Sequence, residues 1–363
     1  MLLAITLGFI IQKIVLITII LFGSLGVAMY ATWAERKVAA VMQDRIGPNR
    51  AGPFGILQPL ADGLKLFMKE EIIPNNSTRF IFILGPSLAM LTATMTSAVV
   101  PWGPDIVFKS GEVISLQVAD INIGILFIFG VLSLGVYGVM LGGWASNNKF
   151  SLLSAIRAAS QAISYELPMG IALIALLMMT GSLSLHDIVG QQHGFWTGGL
   201  PWHGGWFTWY VFKQPLGFFI FLVCAFAELN RAPFDLPECD SELNMGYHQE
   251  YSSMKLGFYL FAEYINMFIS SAVIVTLFFG GYNFPFMDVV STYLGAGSVW
   301  MALICIGAFM TKIVCFILFF MFVRWTIPRF RYDQLMNLGW KSLIPLALVN
   351  MLITGGVILW FFN

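Results

Sequence analysis

Long apolar runs separated by shorter polar stretches dominate the pattern of this chain. A run of about 20 apolar residues can cross a bilayer as an α-helix, because each residue adds about 1.5 Å. We therefore predict an all-α, polytopic transmembrane bundle of about eight helices, with residues 1–363 forming a single integral membrane domain. The predicted spans lie near residues 8–34, 78–101, 121–143, 155–181, 208–229, 256–282, 298–326 and 340–362.

The loop after the first span changes character along its length. Its first part, from Glu35 to Gly55, contains two Gly-Pro steps, which are incompatible with a continuous helix. From Ile56 to Lys69, apolar residues return at intervals of three and four with charged residues between them. This pattern predicts an amphipathic helix in the membrane surface. Such a helix either frames a lateral opening for a lipid-soluble molecule or only anchors the chain, and periodicity does not separate the two.

The composition supports a membrane protein. Hydrophobic residues make up 58% of the chain and charged residues 10%, whereas soluble domains carry about 25% charged residues. The net charge is zero, which argues against a nucleic-acid partner, because such a partner requires a basic surface.

Cysteines and nucleotide motifs offer no redox centre or NADH site in this chain. The four cysteines form no CxxC pair and match no zinc or iron-sulfur spacing, so we interpret them as small core residues. The chain also lacks a GxGxxG segment and a P-loop.

The distribution of lysine and arginine predicts the orientation. The odd-numbered loops hold 15 of the 19 basic residues, and Lys13, Lys109, Lys213 and Lys312 are the remainder. Because basic residues concentrate on the inner side of a membrane, these loops are predicted to face the cytoplasm or matrix, and both termini the opposite side.

A second informative segment follows the fifth span. It holds six carboxylates in about two dozen residues of a chain that is otherwise poor in charge. Charge beside membrane helices is expensive, so such a cluster indicates proton or ion handling, a bound polar headgroup, or a partner. The six carboxylates are Glu228, Asp235, Glu238, Asp240, Glu242 and Glu250.

Glu166 is predicted to lie near the bilayer midplane, about 16 Å into the fourth span. A bare carboxylate there costs on the order of 3 kcal/mol, so it should face the bundle interior and be protonated or paired. Arg157 lies on the opposite helix face, and Lys312 is a candidate partner. The alternative is that Glu166 only cross-links helices.

Two local arrangements are expected within the acidic segment. Glu228 and Arg231 would be neighbours if the fifth helix continued that far. An extended strand would place Glu238, Asp240 and Glu242 on one face, where their titrations would couple. The alternative interpretation is a solvated acidic loop that docks a basic partner surface.

Two stretches resemble the signature regions of a known family. These are ERKVAAVMQDRIGPNRAGPFGILQPLADGLKLFMKE from Glu35 to Glu70, and AELNRAPFDLPECDSEL from Ala227 to Leu243 followed by EYSSM. They are similar to the H subunit of proton-pumping NADH-quinone oxidoreductase, which is called subunit 1 in mitochondria. Span count, orientation and loop order fit this family along essentially the whole chain.

The resemblance implies a membrane subunit that helps to form the quinone chamber and the start of a proton path. Residues 35–77 and 230–255 would form the quinone site and coupling region. The residues implied in quinone binding are Arg36, Asp62, Lys65, Arg231, Asp235, Glu238, Asp240, Glu242 and Glu250. The residues implied in the proton path are Glu35, Glu70, Glu166, Glu228 and Glu263.

The resemblance also implies the setting of this chain. Quinone would be its substrate, and iron-sulfur clusters and FMN would belong to partner subunits. Those partners would be hydrophilic quinone-site subunits together with small and antiporter-like membrane subunits. The loop at residues 186–207 is longer than the mitochondrial form would suggest, which favours a bacterial inner membrane with both termini in the periplasm.

The chain departs from the family pattern at a few positions. Leu229 stands where Thr is frequent, and Cys239-Asp240 where Ala-Glu is frequent. Two other functions are alternatives. One is the equivalent subunit of a membrane-bound hydrogenase, which the unbroken quinone-enzyme signatures disfavour. The other is a secondary transporter, which paired broken helices in an inverted repeat would support.

Overall fold

The computed structural model describes residues 2–107, 113–193, 208–237, 240–285, 287–295 and 297–362. Within these ranges, seven helices are long and apolar enough to cross a membrane. The all-α polytopic bundle is therefore confirmed.

The first helix, α1, covers Leu2–Met42 and is 41 residues long. It continues beyond the apolar run because Glu35, Arg36, Lys37 and the alanines that follow favour helix. The expectation that Glu35 and Arg36 lie in a loop is thus wrong, since both belong to the last turns of α1. The predicted break comes later, between Met42 and the next helix.

The predicted amphipathic helix is α2, Gln58–Met68. A short 3-10 turn at Pro53–Gly55 precedes it. Gly52 and Gly55 at this turn have positive φ angles, which glycine adopts readily. The apolar side chains of α2 are exposed in the isolated chain, as expected for a helix in contact with lipid or another subunit. The most exposed are Leu60, Leu64, Phe67 and Met68.

The second and third spans form an antiparallel pair. Helix α3 covers Arg79–Met95 and α4 covers Gly124–Ala145. Between them, Ile106–Val107 and Val113–Ile114 form a two-stranded antiparallel ribbon, β1 and β2, with Ile106 opposite Ile114.

Small residues let α3 and α4 approach closely. A Cβ atom added to Gly138 would lie 2.9 Å from the backbone nitrogen of Ala89. One added to Gly142 would lie 1.9 Å from the Tyr259 hydroxyl, which donates a 3.0 Å hydrogen bond to the carbonyl of Gly138. The nearby Tyr251 hydroxyl donates to the carbonyls of Phe82 and Gly142, and burial raises the pKa of Tyr251 to about 12, so this donor stays protonated.

The fourth span is α5, Lys149–Thr180. Its start is fixed by the side chain of Asn148, which accepts a 3.0 Å hydrogen bond from the backbone nitrogen of Phe150. Its end is set by Gly181, which adopts the left-handed conformation. The helix begins earlier than residue 155 because polar residues extend it on the side predicted to be cytoplasmic.

The fifth span is shorter than predicted. After α6, Leu185–Gln191, and α7, Tyr210–Lys213, comes α8, Pro215–Glu228, which has 14 residues and a length of about 21 Å. Gln214 interrupts the predicted span because proline at 215 cannot donate a backbone hydrogen bond and so starts a new helix. The loop expected at residues 186–207 falls largely on residues that are not described.

The acidic segment contains short turns. Residues Asp240–Leu243 form α9 and Gly246–His248 form a 3-10 turn. The expected extended strand is therefore wrong for Asp240 and Glu242, which share a helical turn, and Glu238 lies outside the described residues. The sixth span, α10, follows as Ser253–Phe278, and α11 covers Met287–Leu294.

The last two spans close the bundle. Helix α12 covers Val299–Thr326. Then α13, Tyr332–Asn337, a π-helical turn at Leu338–Leu343 and α14, Ile344–Phe362, run on as one continuous rod. Of the seven long spans, α10 has the largest buried share, so it forms the centre of the bundle. Cys224 and Cys305 are buried as expected, whereas Cys315 is exposed on α12.

Candidate functional site

A buried cluster of charges joins three helices and the acidic segment. The carboxylate of Glu35 on α1 accepts hydrogen bonds from Arg231 at 2.7 Å and from the Tyr264 hydroxyl at 2.9 Å. Its second oxygen lies 2.6 Å from a guanidinium nitrogen of Arg324 on α12. The Arg231 guanidinium also lies 4.2 Å from the centre of the Tyr264 ring. One buried carboxylate thus holds two guanidinium groups.

This cluster corrects one sequence expectation. Helix α8 ends at Glu228, and Asn230 turns the chain through the left-handed region. Arg231 therefore pairs with Glu35 and not with Glu228.

A cavity of about 350 Å³ lies beside the cluster. It is bounded by α1, α2, α10 and α12, and its wall combines apolar side chains with charged groups. The apolar and small part of the wall includes Met29, Pro59, Leu66, Phe261 and Trp325.

Arg36 and Asp62, two of the residues implied in quinone binding, both line this cavity, and they pair with each other. Their side chains approach to 2.8 Å across α1 and α2, and both are partly exposed. Lys65 lies exposed on α2 and is not among the residues that line the cavity. Glu70 lies exposed in the following loop, where its backbone carbonyl accepts a hydrogen bond from Ser252.

One polar stripe of α5 holds the acidic segment in place. The amide of Gln161 donates 2.8 Å hydrogen bonds to the carbonyls of Ala227 and Phe234. The hydroxyl of Ser154 donates to the carbonyl of Pro237 at 2.6 Å. Residues 231–237 are buried as a result, although they form no helix.

The same stripe reaches two of the predicted carboxylates. Glu242 pairs with Arg157 at 2.8 Å, and Glu250 accepts a 2.8 Å hydrogen bond from Asn148. Arg157 is thus directed to the acidic segment, in agreement with its predicted orientation away from Glu166. Glu238 and the side chain of Asp240 lie outside the described residues.

Asp235 anchors the other side of the segment. It is buried and lies 3.1 Å from Arg329, which follows α12. The backbone of Phe330 also donates a 3.1 Å hydrogen bond to the carbonyl of Pro233. The segment is therefore clamped between α5 and the connection from α12 to α13.

A second, smaller cavity of about 60 Å³ contains two of the predicted path residues, Glu228 and Glu263. Asn230, Tyr247 and Asn266 contribute further polar groups to its wall. The Tyr247 hydroxyl donates a 3.1 Å hydrogen bond to Glu263. A neighbouring cavity of about 40 Å³ shares Glu228 and Asn266 with it, and the remaining wall of this second cavity is mainly apolar.

Glu166 lies next to Glu228 along this line, between α4 and α5. The Ser133 hydroxyl donates a hydrogen bond to its carboxylate, and the charges of Glu166 and Glu228 interact. The expectation that Lys312 pairs with Glu166 is wrong, because the Lys312 ammonium donates to backbone carbonyls elsewhere.

One ion pair, electrostatic interactions and a shared cavity wall relate Glu35, Glu263, Glu228 and Glu166 to one another, and we refer to these four residues as the carboxylate series. Arg231, which holds Glu35, also interacts electrostatically with Glu263, and Glu263 shares a cavity with Glu228, next to Glu166. Groups of this kind can hand on protons or charge over short steps. Glu70 is the one residue of the predicted path that is not brought to this series.

Several site residues carried little signal in the sequence. Arg324 and Arg329 counted only as basic loop residues, and nothing in the pattern distinguished Tyr264 or Tyr247. The polar stripe of α5 had a signal, since Asn148, Ser151, Ser154, Arg157 and Gln161 recur at intervals of three or four.

Comparison with known proteins gives a consistent result. A family model described as NADH dehydrogenase matches residues 14–355. The NADH-quinone oxidoreductase H subunit 1 of Cytophaga hutchinsonii is 60% identical over 353 residues, which cover 97% of this chain and 98% of that protein. The H subunit of the same enzyme from Flavobacterium johnsoniae is also 60% identical, over 97% of this chain and 96% of that protein. The H subunit from Thermomicrobium roseum is 48% identical over 93% of each chain.

Proposed function

The chain belongs to the NADH dehydrogenase family, among the H subunits of NADH-quinone oxidoreductase, and from this premise we propose what its two sites do. The cavity bounded by α1, α2, α10 and α12 receives the quinone. The carboxylate series from Glu35 to Glu166 forms the first part of the path that couples quinone reduction to proton pumping.

The size and lining of the larger cavity support quinone binding. Small-molecule sites have volumes of about 300–1,000 Å³ and combine an apolar wall with a few polar groups. This cavity has about 350 Å³, and its wall combines apolar side chains with the Glu35 cluster and a few other charged groups. An isoprenoid quinone likewise combines apolar and polar parts, because it has an apolar tail and a polar headgroup.

The position of α2 supports lateral access from the membrane. This amphipathic helix exposes Leu64 and Phe67, and its other side contributes Pro59 and Leu66 to the cavity wall. A lipid-soluble substrate could pass beside it without leaving the apolar phase. Of the two interpretations of this helix, the cavity behind it favours the lateral opening.

The buried series of carboxylates supports the coupling role. Ionisable groups inside a membrane bundle are expensive to bury and usually serve ion or proton movement. The observation that carries the proposal is the arrangement of Glu35 between Arg231 and Arg324 at the cavity wall. A change of charge in the cavity, when a quinone takes up electrons, acts directly on this cluster and through Arg231 on Glu263.

The same proposal assigns the surroundings. As a subunit, the chain works with other subunits of its complex. The odd-numbered basic loops face the cytoplasm and meet the hydrophilic quinone-site subunits, which supply electrons from iron-sulfur clusters and FMN. The small and antiporter-like membrane subunits continue the proton path, and both termini lie on the periplasmic side of a bacterial inner membrane.

Photo-crosslinking tests the quinone site in the assembled enzyme. A quinone analogue with a photoreactive tail should label the helices that wall the cavity, at or near Leu66, Phe261 and Trp325. Excess unlabelled quinone should suppress this labelling, and Leu66→Trp, which fills the cavity, should weaken it. Labelling confined to helices that do not border the cavity would contradict the proposal.

A further inference from the structure

A lysine in the middle of a membrane span has a set of partners that the proposed function does not use. Lys312 on α12 donates hydrogen bonds to the backbone carbonyls of Phe279 at 2.8 Å and Gly281 at 3.0 Å, and a third to the carbonyl of Asn283. The face of the Trp209 ring lies 4.5 Å from its ammonium nitrogen. All three N–H donors of the ammonium group are thus occupied.

These carbonyls belong to the turn that ends α10. The same turn is held from another direction by the buried side chain of Gln192, which follows α6. Its amide nitrogen donates to the carbonyl of Thr276 at 3.0 Å, and its oxygen accepts from the backbone nitrogen of Gly280 at 3.0 Å. The end of α10 is therefore tied by side chains from two other parts of the chain.

The chemistry of this cap explains why a lysine is tolerated here. Carbonyl groups at a helix C-terminus carry partial negative charge and attract cations. Within the part of the chain that the structure describes, Lys312 forms no ion pair with a carboxylate. Its charge is balanced by backbone dipoles, so loss of the ammonium would leave several carbonyls without a donor in an apolar surrounding.

The two helices joined by this contact are the two that form one wall of the larger cavity. From α10 come Phe261 and Tyr264, and from α12 come Arg324 and Trp325. We propose that Lys312 is a positioning residue, which pins the end of α10 to the middle of α12 and so sets the spacing of these two helices at the cavity. The expected effect of this spacing on quinone kinetics rests on the proposed quinone site, whereas the effect of Lys312 on the spacing itself does not.

The test uses the assembled enzyme and two lysine variants. Lys312→Met removes the charge and every donor, while Lys312→Arg keeps the charge but replaces three converging donors with a planar fork. Lys13→Met is the matched control, because Lys13 also donates to a backbone carbonyl, that of Gln117 at 2.7 Å, and lies 5.6 Å from the centre of the Phe9 ring. Both of these contacts of Lys13 lie outside α10.

Two readouts separate the inference from the proposed function. Spin labels on cysteines introduced at Phe258 and Thr326, with the other reactive cysteines replaced by serine, report the spacing of α10 and α12. We expect Lys312→Met to shift or broaden this distance and to raise the quinone KM several-fold with little change in kcat. Lys312→Arg should give an intermediate effect, and Lys13→Met should give none.

Each outcome has a defined meaning. An assembled Lys312→Met enzyme with an unchanged label distance would overturn the inference, as would equal shifts in the Lys13→Met control. A changed distance with an unchanged quinone KM would support the pinning role and contradict the quinone cavity. If Lys312→Met does not assemble, the Lys312→Arg distance decides, since a spacing identical to the native one would overturn the inference.

Discussion

Glu35 shows how a single carboxylate can organise a buried site. It is contacted by Arg231, Arg324 and Tyr264, which come from three separate parts of the chain. Buried ion pairs contribute little net stability compared with apolar packing, yet removal of one partner is costly because the other charges stay buried. The cluster therefore keeps its charges in fixed positions beside the cavity, and the protein should tolerate the loss of any one of these charged side chains poorly.

We expect Glu35→Gln to destabilise the assembled enzyme by about 3–5 kcal/mol, because two guanidinium groups would then lack a counter-charge. Thermal unfolding of the purified complex should show a lower midpoint. Asp187→Asn is the control, since Asp187 is exposed and accepts one hydrogen bond from Ser182. An unchanged midpoint in Glu35→Gln would show that the cluster is not the buried site described above.

Glu228→Gln should reduce quinone-coupled proton pumping at least about tenfold, because the amide cannot take up and release a proton. NADH oxidation by a water-soluble acceptor, which needs only the hydrophilic subunits, should stay near its native rate. The same change at Glu70 should leave pumping intact, since Glu70 lies outside the carboxylate series. Proton uptake into membrane vesicles, followed with a pH-sensitive dye, measures pumping in both variants. Equal losses in Glu228→Gln and Glu70→Gln would contradict the proposal that the carboxylate series carries the protons.

For single residues, the sequence located the buried carboxylates better than it indicated their partners. Glu35, Glu166, Glu228 and Glu263 were singled out, and the structure brings them near one another, but their role in a proton path stays a prediction. Their contacts could not be predicted, because Glu35 and Arg231 are separated by 196 positions and meet only when the acidic segment packs against α1 in the folded chain. The expected pair of Glu166 and Lys312 failed for the same reason, since similar depth on two helices does not make two side chains neighbours.

At the scale of elements, the apolar pattern predicted the existence of helices well and their ends less well. Helices α1 and α5 run past their apolar stretches because the adjoining polar residues are also good helix formers. The break at Gln214 divides the fifth span, although Pro215 was visible in the sequence. A proline is tolerated at the first turn of a helix, so its position alone did not reveal where the interruption would fall.

The contact of α3 with α4 gives a prediction at this scale. A side chain at Gly138 would lie 2.9 Å from the Ala89 backbone nitrogen and 3.1 Å from the Gly85 carbonyl, whereas one at Gly130 would meet nothing within 4 Å. We expect Gly138→Ala to destabilise the enzyme by about 1–3 kcal/mol through overpacking. Gly130→Ala, which makes the same chemical change on the same helix, should be neutral or slightly stabilising.

Thermal inactivation of the two variants, measured side by side, tests this packing. A Gly138→Ala enzyme as stable as Gly130→Ala would mean that α3 and α4 are separated by more than the structure indicates.

At the scale of the whole molecule, the distribution of charge defines two sides. The basic loops, the acidic segment and the amphipathic α2 all lie on one side, and the β1–β2 ribbon, α6 and α11 lie on the other. The sequence predicted this sidedness from lysine and arginine alone, but which side faces the cytoplasm stays a prediction. The packing of the central α10 could not be predicted, because apolar runs look alike whether they face lipid or protein.

Cysteine labelling tests the orientation. With Cys239 and Cys315 replaced by serine, Arg50→Cys in the first basic loop should react with a membrane-impermeant maleimide only in inverted vesicles. Tyr293→Cys should react in right-side-out vesicles, because Tyr293 on α11 is highly exposed. The reverse pattern would place the basic loops in the periplasm.

The shortness of α8 has an electrical consequence. Its 14 residues cover about 21 Å of a hydrocarbon layer that is about 30 Å thick, and a non-helical segment, which is buried at residues 231–237, follows where it ends. The polar backbone of this segment shortens the apolar layer beside α8, and most of the membrane voltage falls across that apolar layer. On the proposed path, a charge that reaches Glu228 from the side of the basic loops would already have crossed a share of that voltage. The electrical work for the rest of the crossing is therefore smaller than the about 2.3 kcal/mol per 100 mV that moving one charge across the whole membrane requires.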